Sequence, residues 1–123
     1  MDERGRALSG NGVLVRIEIA STLLARVRGL LGRGDLSCSL LLAPCNDIHT
    51  FGMKYPIDVA FLDNAGVVVR ADRGVGPRRR VVCRRAVATL ERVSVDKPWF
   101  QVGDRIGLVA EMRAGTKGEG GLE

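Results

Sequence analysis

The segment Ile57–Ala71 reads IDVAFLDNAGVVVRA. Two runs rich in β-branched side chains, Ile57–Leu62 and Val67–Ala71, flank the tetrad Asp63-Asn64-Ala65-Gly66. Asp, Asn and Gly favour tight reversals, so the spacing predicts a β-hairpin. In the first run Ile57, Val59 and Phe61 share one face, and Asp58, Ala60 and Leu62 share the other. Both faces are largely apolar, which places the strand inside a sheet rather than at its edge. A carboxylate at the mouth of such a strand needs a partner if buried, because an unpaired buried charge is costly. The partners on offer are His49, Arg26, Arg28 and local backbone N–H groups. Asp58 is expected to accept hydrogen bonds that pin the entering loop; the competing reading has it facing a pocket, binding a ligand or tuning His49.

The same logic extends in both directions along the chain. Residues 1–12 are charged and Gly-rich and read as a flexible leader. Val13–Ile19, VLVRIEI, alternates apolar and polar residues and predicts a half-buried strand. Leu23, Leu24, Val27, Leu30 and Leu31 then form one stripe of a short helix, capped by Ser21 or Thr22 and ended by Gly32 or Gly34. Ser39–Ala43 is an apolar strand stopped by Pro44. Val81–Val82, Ala86–Val95 and Arg105–Met112 are further strands. Lys97–Asp104 has room for one helical turn with Pro98 at its first position. Residues 113–123 form a Gly-rich tail expected to be disordered. The expected architecture is a mainly-β, single-domain antiparallel β-sandwich over 13–112, with one short helix inserted after the first strand.

Composition narrows the class. At 123 residues, 46% hydrophobic and 27% charged, the chain suits one globular domain with one core. No run of about 18 apolar residues spans a membrane, and no secretory leader is visible at the N-terminus. The three cysteines, Cys38, Cys45 and Cys83, form no Cys-x-x-Cys pair. They read as thiols in a reducing compartment, so the expected location is the cytoplasm. The net charge is +5, carried almost wholly by Arg in a Gly-, Ala- and Val-rich background typical of a GC-rich genome. There is no phosphate-binding loop, dinucleotide fingerprint, nucleophile elbow or metalloprotease helix, which argues against several large enzyme classes.

Residues that carry chemistry crowd together just upstream of the hairpin. Cys45, His49 and Asp58 supply a thiol, an imidazole and a carboxylate. Such a set suits either a nucleophile–base–orienter arrangement or a zinc site, provided the segment folds into one cluster. The bland alternative is a structural His beside an inert Cys. Phe51, Met53 and Tyr55 alternate and are expected to pack inward as a lid; otherwise they line a groove for a small apolar molecule or a peptide. Pro77–Arg85 holds five Arg in nine residues. It suits a phosphate-gripping surface, and equally a solvated edge strand. It lacks interleaved aromatics for stacking on bases.

Three signatures resemble the domain of unknown function 192 family. They are Ala20-x5-Arg26-x2-Gly29-Leu30-Leu31-x-Arg33, the central block His49-Thr50-Phe51-Gly52-Met53-x2-Pro56-Ile57-Asp58-Val59-x-Phe61-Leu62-Asp63, and Leu90-Glu91 followed by Val102-Gly103-Asp104. Two departures are plain: Gly52 stands where many members carry Trp, and no Gly follows Leu90-Glu91. The resemblance implies a compact jelly-roll-like β-sandwich and no particular activity. The favoured functional expectation is a non-enzymatic binding or accessory domain for a small molecule or a protein. Its site would lie around residues 45–58, built from Arg26, Arg28, His49, Phe51, Met53 and Asp58. The alternatives are a zinc or Cys–His centre at Cys45, His49 and Asp58, and a nucleic-acid adaptor acting through Arg78–Arg85.

Overall fold

The computed structural model describes residues 3–9, 11–20 and 39–110. Nine strands run through them: β1 (Glu3–Ser9), β2 (Leu14–Ala20), β3 (Ser39–Leu42), β4 (Asp47–His49), β5 (Ile57–Leu62), β6 (Val68–Val75), β7 (Arg80–Val82), β8 (Ala88–Val93) and β9 (Ile106–Ala110). The predicted hairpin is β5–β6. Its turn is tied by Asp63, whose Oδ1 accepts the N–H of Ala65 (2.9 Å) and of Val67 (3.0 Å). Gly66 supplies the positive φ, +78°, that closes it. β5 is indeed internal, flanked by β6 and β8.

Seven strands form one sheet in the order β6-β5-β8-β3-β2-β1-β9, and β4 pairs with β7 in a separate ribbon. The mainly-β expectation therefore holds, but two matched antiparallel sheets do not form. β2 and β3 run parallel, Ile17 opposite Ser39, and parallel neighbours require a crossover rather than a hairpin. The sheet also curls. An isolated bridge joins Val67 to Arg105, so the two edge strands, β6 and β9, approach at one end and the sheet forms a half-barrel.

The expected leader is largely strand: β1 lies between β2 and β9, with Ala7 opposite both Val15 and Leu108. Lys97–Asp104 makes no helical turn. Its buried pair Trp99 and Phe100 fills the core instead, and Gly103, at φ +95°, closes a reverse turn from Gln101 to Asp104. The expected helix after β2, with Arg26, Arg28 and Cys38, lies outside the described residues, as does the tail at 113–123. Among the described residues no helix is long and apolar enough to cross a membrane.

Strand alternation divides the buried residues into two clusters. The inner one draws a residue from every strand of the large sheet: Ala7, Ile17, Leu41, Ala60, Val68, Leu90 and Ile106, sealed by Trp99 and Phe100. The outer one lies between the sheet and the ribbon, where Ile48 and Val81 cover Leu40, Leu42, Ile57, Val59 and Phe61. This explains why β5 is apolar on both faces: each face has its own cover.

Candidate functional site

The segment between β3 and β5 is a corner stitched to the loop that precedes β7. Thr50, fully buried, holds the stitch. Its backbone N–H donates to the Arg79 carbonyl (2.8 Å), its hydroxyl donates to the Gly76 carbonyl (2.7 Å), and the hydroxyl oxygen accepts the Arg79 N–H (2.8 Å). Gly52, at φ +83°, then turns the chain, and Met53 packs against the outer cluster.

The outward face of the ribbon carries the exposed chemistry. Pairing sets His49 opposite Arg80 and Asp47 opposite Val82. Asp47 and Arg80 form a two-pronged ion pair, with Nε–Oδ1 at 3.0 Å. That hydrogen bond is the main reason the Asp47 carboxyl lies below its ordinary range; slight burial opposes it, and the charges of Arg80 and His49 add to it. The His49 and Phe51 rings lie 5.6 Å apart, tilted by 45°. Phe51 is 53% exposed and Tyr55 49%, so neither forms the inward lid that their alternation suggested. Arg78 stands at φ +59°, in the left-handed region that non-glycine residues seldom occupy. Among the described residues the side chains of Arg78 and Arg79 have neither an ion pair nor a hydrogen bond.

Asp58 sits elsewhere. It is fully buried on the inner face, at a bulge where the β5–β6 register shifts between Ile57 and Val59. Its Oδ1 accepts the Gly74 N–H (3.0 Å) and its Oδ2 accepts Arg92 Nε (2.9 Å), with Arg73 at 3.6 Å. Arg92 lies 4.5 Å above the Trp99 ring and donates to the Lys97 carbonyl. The expectation that Asp58 accepts hydrogen bonds is met, through partners the sequence did not suggest. His49 and Asp58 lie on opposite sides of β5, one beyond the ribbon and one on the inner face. Cys45 is partly buried against the outer cluster, its thiol 3.5 Å from the Asp47 carbonyl. The set Cys45, His49 and Asp58 is therefore not assembled. Among the described residues no three His, Cys, Asp or Glu side chains gather closely enough to hold a metal ion.

One buried acid escaped the sequence reading. Glu91, 3% exposed, lies between Leu40 and Val59 on the outer face of the sheet. Among the described residues its Oε1 has no hydrogen-bond partner, and burial pushes its carboxyl up to about 7. Its only sequence signal is a charged residue inside the apolar run ATLERV.

A curled mixed sheet with a short ribbon over its outer face, and aromatic and basic side chains displayed on that ribbon, defines a small mainly-β domain. The chain matches the DUF192 family, described as an uncharacterized ACR, over residues 6–122, and it belongs to that family. No curated protein matches it. Two solved structures share its fold. A proposed transcription regulator from Sinorhizobium meliloti 1021 is 19% identical with a TM-score of 0.71, over 88% of this chain and 94% of that one. A protein of unknown function from Novosphingobium aromaticivorans DSM 12444 is 16% identical with a TM-score of 0.68, over 86% and 84%.

Proposed function

We propose that this chain is a non-enzymatic binding domain, and that its contact surface is the outward face of the β4–β7 ribbon together with the corner that follows β4. The observation that carries this reading is the exposed His49–Phe51 pair beside two arginines, Arg78 and Arg79, that have no acid partner among the described residues. A large apolar ring left in water gains from being covered, and spare guanidinium groups seek carboxylate or phosphate. Met53 anchors the corner from below. Asp58 is no part of this surface, since its carboxylate is buried and already bonded. Separation of Cys45, His49 and Asp58 supports binding over Cys–His catalysis. Cys45 and Cys83 are both free, which suits a reducing, cytoplasmic setting.

The test is an amide NMR titration of the whole chain with nucleoside phosphates, oligonucleotides and acidic peptides. The largest shifts should centre on residues 47–53 and 78–82, and His49→Ala should weaken binding without unfolding the chain. Shifts centred elsewhere, or none across the whole panel, overturn the reading.

A further inference from the structure

We infer that this surface takes single-stranded nucleic acid, held by stacking on Phe51 and His49 and by phosphate contacts from Arg78 and Arg79. The inference rests on the binding reading above and names its partner.

The basic stretch alone lacks aromatic residues, which is a poor basis for gripping bases. The fold repairs that lack. Thr50 and Arg79, 29 positions apart in sequence, are bonded through backbone and side chain, and His49 lies opposite Arg80. The ribbon thereby brings the aromatic pair to the arginines. Trp99, Phe100 and Phe61 are all buried, whereas Phe51 and Tyr55 are about half exposed, so the open benzenoid rings of the described residues fall within one short stretch. Stacking on such rings is how proteins hold unpaired bases without reading sequence.

The charge pattern fits a polyanion. Arg70 and Arg80 are engaged with carboxylates, and Arg73 and Arg85 donate to backbone carbonyls. Arg78 and Arg79 are not so engaged. Arg78 also holds a left-handed backbone conformation, φ +59°, that is costly for a residue other than glycine, just after Gly76-Pro77. Asp47, an acid on the same face, is neutralised by Arg80, so it does not repel phosphate.

Single strands suit the surface better than duplex. A duplex hides its base faces in the stack, leaving only phosphates for the arginines, and the ribbon strands are three residues each, with no helix among the described residues to enter a major groove. An acidic peptide would use the arginines but has no need of exposed ring faces.

The experiment is fluorescence anisotropy of the whole chain with end-labelled oligothymidine and oligouridine of about ten nucleotides, beside a duplex of equal length. The expected result is single-strand binding at least about tenfold tighter than duplex binding, weakening as salt rises from about 50 to 200 mM. Phe51→Ala should cost roughly 10- to 100-fold and leave the salt slope alone, while Phe51→Tyr keeps most of the affinity. Replacing Arg78 and Arg79 together by Ala should flatten the logarithmic salt slope by about 1.4, two single-strand phosphate contacts. Thermal melts verify that each variant is folded. Absence of binding at low salt overturns the inference, as does duplex binding of equal strength that ignores Phe51→Ala. An acidic peptide that shifts the same amides, while oligonucleotides do not, also overturns it but leaves the binding reading standing.

Discussion

Asp58 and Glu91 are both buried acids in the paired central strands β5 and β8, one register row apart, yet they live in opposite electrical worlds. Asp58 faces the inner cluster and is surrounded by donors: the Gly74 N–H, Arg92 and, more distantly, Arg73. Glu91 faces the outer cluster between Leu40 and Val59, and its Oε1 meets no donor among the described residues. Equal burial therefore has unequal consequences. A carboxylate with a guanidinium beside it remains a useful charge, whereas one without a partner is driven toward its neutral form. The inner face is fastened by ionic contact, and the outer face tolerates an acid that holds its proton near neutrality.

The largest effect should come from Asp58→Ala. It strands Arg92 over the Trp99 ring and leaves the Gly74 N–H without its carboxylate, at a cost of about 3–5 kcal/mol by urea denaturation. A loss below about 1 kcal/mol would break the contrast, because the ion pair would then not be fastening the inner face. Replacing Arg92 by Leu in the same chain should recover part of the loss.

Glu91→Gln tests the other half. The folded carboxyl titrates near 7 against 4.5 for an ordinary Glu, so the folded state holds the proton more tightly than the unfolded one. Wild-type stability from this group is complete below about pH 4.5 and drains away as pH rises through 7. The stability of Glu91→Gln relative to wild type should therefore improve by roughly 3 kcal/mol between about pH 4 and pH 8. A difference independent of pH would mean that the folded carboxyl titrates where the unfolded one does, so that burial sets Glu91 apart in no way.

Smaller effects sharpen the boundary between fastening and display. Thr50→Val removes two hydrogen bonds at the stitch and should cost about 1–3 kcal/mol, with faster hydrogen exchange at Arg79. Phe51→Ala, one residue further on but exposed, should change stability by no more than about 0.5 kcal/mol in a thermal melt. A large loss there would recast Phe51 as a packing residue and remove it from the contact surface.

Much of the sheet was legible in the sequence. Alternation marked β2, apolar runs marked β3 and β8, and the Asp63–Gly66 turn fixed the β5–β6 hairpin. β1 was hidden because ERGRALS has charge and Gly where a strand signal would lie; its pairing with β2 and β9 supplies the order that local preference lacks. β4 was too short, at three residues, to show a period. The candidate segment was visible as a concentration of unusual side chains, but not its division of labour. Asp58 finds Arg92, 34 positions away, across a strand pair. Phe51 and Tyr55 turn outward because Thr50 and Met53 take the inward places at the corner. Glu91 carried no signal of burial, since nothing local announces that the ribbon covers the second face of the sheet.

The placement of β1 between β2 and β9 has a consequence for how the chain is made. Gly5 lies opposite Ala110, so the first strand and the last described one are hydrogen-bonded neighbours. A ribosome releases β1 long before β9 exists, and until then one side of β1 stays open. Such sequence-distant pairing slows folding toward the millisecond-to-second range and leaves a nascent strand edge exposed meanwhile. Completion of the curl, including the Val67–Arg105 junction, is thus an event of late synthesis.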